Sequence, residues 1–106
     1  MLVHNADCIK VIGRLWDTEG FIGRDGFDVL DTPNWDIDVN DAWVRAGIDQ
    51  GETFFLVSPI EGNLIQTEGK FVGQETVYAR ELRMLHEAGY EQIGSFMVHP
   101  DRINLF

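Results

Sequence analysis

Three residues have the type and setting to do chemistry: Arg14, Ser58 and Glu81. Arg14 lies in the apolar, β-branched stretch from Cys8 to Trp16. A guanidinium buried there without a partner would cost several kcal/mol. It must therefore pair with an acid or grip a phosphate or carboxylate of a ligand, which its planar fork suits. Glu81 falls on a helical wheel beside Tyr78, Leu85 and Ala88, at the margin of a buried stripe. Desolvation raises the proton affinity of such a carboxyl and a nearby cation lowers it, and either suits general acid or base work. Ser58 ends the apolar run Thr53 to Val57 and can supply a hydroxyl to the same place. Arg80, Tyr78 and His99 are the candidates for substrate contact, and His86 with His99 could relay protons in a metal-independent ribonuclease. Each also has a plain structural reading: an ion pair for Arg14, a rim salt bridge for Glu81, a boundary position for the histidines.

Other chemistries lack their residues. One cysteine and three histidines, His4, His86 and His99, form no CxxC, HxxxH or HxE pattern, so no metal site is expected. Both halves of the zinc-deaminase signature are missing. Glu68-Gly69-Lys70 has the Glu-x-Lys form of a magnesium-dependent nuclease, but the central glycine favours a turn. The glycines at 20, 23 and 26 lack the Gly-Lys-Ser/Thr ending of a phosphate loop. Cys8, the lone thiol, cannot form an intramolecular disulfide and reads as a small apolar strand residue.

Eight basic against 18 acidic residues give a net charge of −10 in 106 residues. That balance argues against an extended phosphate-backbone binder, although a short basic cleft is compatible with it. No apolar run approaches the length of a membrane span, and the opening residues show no basic region followed by an apolar run.

The elements that must position these residues follow from periodicity and punctuation. A first strand is expected over Cys8–Trp16, which places Arg14 on it, followed by a glycine-punctuated loop from Gly20 to Gly26. A helix is expected over about residues 39–50, capped by Asp38 or Asn40, with Val39, Ala42, Trp43 and Ala46 on one face and Gly51 as its stop. Thr53–Val57 reads as a central buried strand, and Phe71-Val72 as a short edge strand. A second helix is expected over about Thr76–Ala88, with Tyr78, Leu82 and Leu85 inward, Arg83 and Glu87 outward, and Gly89 as its cap. A last strand follows over about 92–98. The sum is a small single α+β domain with two helices packed on a mixed sheet.

Leu2-Val3-His4-Asn5 resembles the end of the Hint (intein-like) processing domain of bacterial polymorphic toxins, a motif that also closes the core of many Rhs-type toxins. The resemblance covers about five residues at the start of the chain and implies a division into a junction remnant, residues 1–7, and a payload domain, residues 8–106. It further implies secretion within a larger toxin, action in the target-cell cytoplasm, no membrane partner, and a cognate immunity protein as partner. Arg14, Asp17 and Gly26-Phe27 resemble the opening of some ADP-ribosyltransferase toxins. Gln66-Thr67-Glu68 follows Ser58 too closely for the remainder of that pattern, and the chain is short for that fold. Three function classes stay open: an enzyme acting on NAD as substrate, with no tightly bound cofactor; a metal-independent ribonuclease; and a non-enzymatic acidic immunity or inhibitor protein. Whether nucleic acid is a partner is left open by the residues.

Overall fold

The computed structural model describes residues 8–105. The Leu2–Asn5 motif and the junction residues 1–7 lie outside the described residues. The fold is α+β: a five-stranded mixed sheet of order β2-β1-β3-β5-β4 with its helices against it. The strands are β1 (Ile9–Ile12), β2 (Phe27–Asp28), β3 (Phe54–Leu56), β4 (Glu91–Ile93) and β5 (Phe96–Val98). The helices are α1 (Leu15–Thr18), α2 (Ile37–Asp49) and α3 (Val77–Glu87), with 3-10 turns at Glu19–Phe21 and Pro100–Leu105. Strands β2, β1 and β3 run parallel, and β3-β5-β4 are antiparallel.

β3 is central, as its unbroken apolar run requires. Phe54 is fully buried between Lys10 of β1 and Met97 of β5 in register. That register puts Lys10, Asp28, Phe54 and Met97 on one face of the sheet. Tyr78 and Leu85 of α3 and Val44 of α2 complete the core with Ile12, Leu56 and Tyr90. Phe27, Phe55 and Phe96 turn to the other face, where Phe21 joins them edge-on. Buried Lys10 is satisfied by Asp28 at 2.7 Å and by the face of Trp43, 4.4 Å from its ring centroid.

α3 matches its expected bounds for local reasons. The Thr76 hydroxyl accepts from the Ala79 N–H at 3.0 Å, and Gly89, at φ +88, takes the left-handed position that closes the helix. Leu85 is fully buried and Leu82 half-buried; Arg83 and Glu87 face outward, although Arg83 pairs with Glu75.

Elsewhere the expected elements need correction. The first strand ends at Ile12, because Gly13 takes φ +158 and packs so tightly that a Cβ would sit 2.6 Å from Ser58 Oγ. Arg14 is therefore not on the strand but at the N-cap of α1, a short third helix. α2 begins two residues early and is capped by Asp36, whose carboxylate accepts from the Val39 N–H at 2.8 Å, rather than by Asp38 or Asn40. Its inward face is Asn40, Val44 and Gly47, while Val39, Ala42 and Ala46 are exposed and Trp43 half-buried. Phe71-Val72 is a turn within a small loop closed by an Ile65–Glu75 bridge, not a strand. The last strand is a hairpin, split where Gly94 adopts φ +62. The glycine loop holds a 3-10 turn and delivers the two-residue strand β2.

Candidate functional site

Parallel β1 and β2 end at the same edge of the sheet, where the N-terminal halves of α2 and α3 converge. The carboxyl edge of parallel strands is where open sheets place ligands. Here it forms a cavity of about 450 Å³, lined by Val11 to Gly13 after β1, Val29 to Thr32 after β2, Trp35, Asn40 and Trp43 around α2, Val77 and Glu81 of α3, and Leu15 and Thr18 of α1. Its size and mostly apolar walls match a small-molecule site.

Glu81 is the buried carboxyl in its wall. One turn into α3, it is 5% exposed. Its Oε2 accepts from Asn40 Nδ2 at 3.1 Å, and Asn40 Oδ1 in turn accepts from the Trp35 indole N–H at 3.1 Å. Nothing among the described residues hydrogen-bonds to Oε1, yet no fully buried side-chain polar atom lacks a partner, so Oε1 opens on the cavity. Burial pushes the Glu81 carboxyl up to about 7; the Asn40 hydrogen bond works the other way, and the nearby Asp41 charge adds to the rise. Such a group exchanges a proton near neutrality, the property a general acid or base requires.

None of the remaining candidates is in the wall of this cavity. The Arg14 guanidinium rests over the Trp16 ring, 4.5 Å from its centroid, and reaches Asn63 and Gln66 side-chain oxygens at 3.4 and 3.5 Å. Its neighbours Gly13 and Leu15 line the cavity; Arg14 itself does not. Ser58 is buried, with its hydroxyl donating to Asp17 at 2.6 Å and accepting from the Arg14 N–H at 2.7 Å. Tyr78 is buried beneath Glu81 on α3 and donates its hydroxyl to the Ser58 carbonyl at 2.6 Å; burial, then the Glu81 charge, push it up to about 12. Arg80 makes a two-pronged ion pair with Asp41, at 2.9 and 2.7 Å, tying α3 to α2. His99 stands edge-on to Tyr90 at 5.3 Å, and its Nδ1 accepts from the Asp101 N–H. Arg14 and Ser58 thus come together, Ser58 and Tyr78 come together, and Glu81 alone of the named catalytic residues faces the cavity.

A second groove, of about 910 Å³, lies on the other side of α3 between Leu82, Tyr90 and Met97. His86 borders it and His99 does not, so the two histidines share no pocket. Its charged and histidine side chains, Glu75, Arg83, His86, Glu87 and Glu91, are all exposed. Among the described residues no group of three or more His, Cys, Asp or Glu side chains could hold a metal ion.

Asn40, Trp35 and Asp31 were not legible as site residues. Asn40 reads as a helix cap, Asp31 as one charge in the acidic run from Asp28 to Asp41, and Trp35 as an irregular residue after Pro33. The one available signal was a polar Asn standing three residues before a tryptophan and seven before a glycine on a helix. Comparison with protein-family models, curated proteins and solved structures finds no match.

Proposed function

We propose that residues 8–106 are the payload domain of a secreted bacterial polymorphic toxin, an enzyme working at Glu81 on a nucleotide-sized small molecule, with NAD the favoured substrate. One observation carries this reading: a buried carboxyl with a proton affinity near neutral, held by Asn40, with a free oxygen in a 450 Å³ cavity. In NAD cleavage the ribose–nicotinamide bond breaks and nicotinamide leaves with the bonding electrons. Water, or a protein nucleophile, forms the new bond to the ribosyl carbon and gives up a proton. Glu81 as carboxylate would stabilise the positive charge developing on the sugar and accept that proton.

The ribonuclease reading is weaker. A chain of net charge −10 repels a polyanion, an effect that extends about 8 Å at physiological salt. An acidic inhibitor would account for the charge but would have no use for a perturbed carboxyl in a cavity.

Expression of the chain in the cytoplasm of a susceptible bacterium, with mass spectrometry of its nucleotides, proteins and RNA, tests the proposal. Growth arrest with NAD loss or a newly ADP-ribosylated protein is expected. Glu81→Gln, which keeps the size and much of the hydrogen bonding, is expected to abolish arrest with thermal melting retained. Arrest with NAD untouched, or undiminished toxicity of the Glu81→Gln protein, would overturn it.

A further inference from the structure

We infer that the Glu81 cavity is a site for a flat organic cation, the positively charged heteroaromatic part of its ligand. The inference rests on the reading of this cavity as the working site and adds the chemical class of the group it takes. The two charged side chains in its wall are both acids, Glu81 and Asp31. Lys10, the cation that reaches the wall residue Trp43, is committed to Asp28 at 2.7 Å and arrives from the sheet side. Arg80, the cation on α3 nearest in sequence to Glu81, is committed to Asp41. Asn40 gives one amide N–H to Glu81, and its oxygen accepts from Trp35. The polar groups the wall offers a ligand include the free Glu81 Oε1, the exposed Asp31, the Thr32 side chain and the second Asn40 N–H, and Trp35 and Trp43 are in the same wall. An anion would meet like charge in a low-dielectric pocket without a cation to receive it. A flat cation would meet two acids and the aromatic side chains of Trp35 and Trp43, whose ring already has Lys10 over one face, a set of groups that favours positive charge with planar shape.

At about 450 Å³ the cavity has room for an aromatic ring and part of the group that carries it. Calorimetric titration of the whole protein with three probes of nearly equal size and shape isolates charge: N-methylnicotinamide as the cation, nicotinamide as its neutral counterpart and nicotinate as the anion. The cation is expected to bind about tenfold or more tighter than nicotinamide, with nicotinate weakest. Glu81→Gln should bring cation and neutral probe to within about twofold of each other, and Asp31→Asn, a change at an exposed position, should narrow the gap part of the way. Trp35→Ala should weaken both probes together. Equal affinity for cation and neutral probe, binding of none of the three by the folded protein, or a preference that survives both acid substitutions would overturn the inference. These outcomes are separate from the toxicity test. Glu81→Gln can abolish toxicity while the probes show no charge preference, which sinks this inference alone; charge-selective binding with an undiminished Glu81→Gln toxin sinks the enzyme reading alone.

Discussion

The proton on Glu81 makes folding pH-dependent in a direction that can be stated. The carboxyl sits at about 7 in the fold against an ordinary 4.5, so the folded chain holds the proton more tightly than the unfolded one. Its stabilising contribution is complete below the unfolded value and is lost as pH rises through about 7. The gap is worth about 3 kcal/mol. Thermal unfolding should therefore show the wild type losing stability between about pH 5 and 8, with a flatter profile for Glu81→Gln, which is neutral throughout. Near pH 8 the variant should be the more stable protein by about 1–3 kcal/mol. Parallel profiles would mean that Glu81 titrates normally and that the acid–base reading of the cavity has lost its support.

At the scale of elements, α3 carries Glu81 and α2 carries Asn40, so the site is as stable as the seating of these two helices. Leu85, fully buried under α3, should cost about 2–5 kcal/mol on replacement by alanine, a large share of the stability of a small domain. Gly47 of α2 lies so close to the sheet that a Cβ would fall 2.7 Å from Lys10 side-chain carbons and 2.8 Å from Phe54 Cζ. Gly47→Ala would add about 1 kcal/mol of helix propensity, yet it should destabilise by about 1–3 kcal/mol net, because helix and strand must part. Denaturant titration decides the sign. A stabilised Gly47→Ala protein would show that α2 has room to move, and with it Asn40.

For the whole molecule, the charge of −10 governs encounters. On the proposed toxin reading, a cognate immunity protein is expected to present a basic or arginine-bearing surface. Its association rate should fall steeply as salt rises, while dissociation changes less. Stopped-flow association at about 0.05 and 0.5 M salt would show it, because screening shortens the reach of charge about threefold over that range. A rate insensitive to salt would assign recognition to apolar contacts such as the groove beside Leu82 instead.

What the sequence determined by itself is what short-range physics decides. Thr76 and Gly89 bound α3, the Tyr78–Leu82–Leu85 spacing orients it, and the unbroken run at 54–56 makes β3 central; together these suffice for an α+β domain. The end of β1 was hidden because Gly13 is dictated by contact with Val57 and Ser58, more than 40 residues away, not by its neighbours. The inward face of α2 was hidden for a similar reason. Hydrophobic periodicity points to Val39, Ala42, Trp43 and Ala46, but only Trp43 of these turns partly inward, and two of the three buried positions, beside Val44, are an asparagine and a glycine, residues that carry no apolar signal. Gly47 is inward because only a missing side chain lets α2 approach Lys10 and Phe54. Asn40 is inward because Glu81, 41 residues later, accepts its hydrogen bond. Burying either polar side chain alone would be costly, and burying both is favourable only once the two helices are side by side. Glu81 at the margin of a stripe could be read from spacing; its depth, its partner and its raised proton affinity were decided by the tertiary structure.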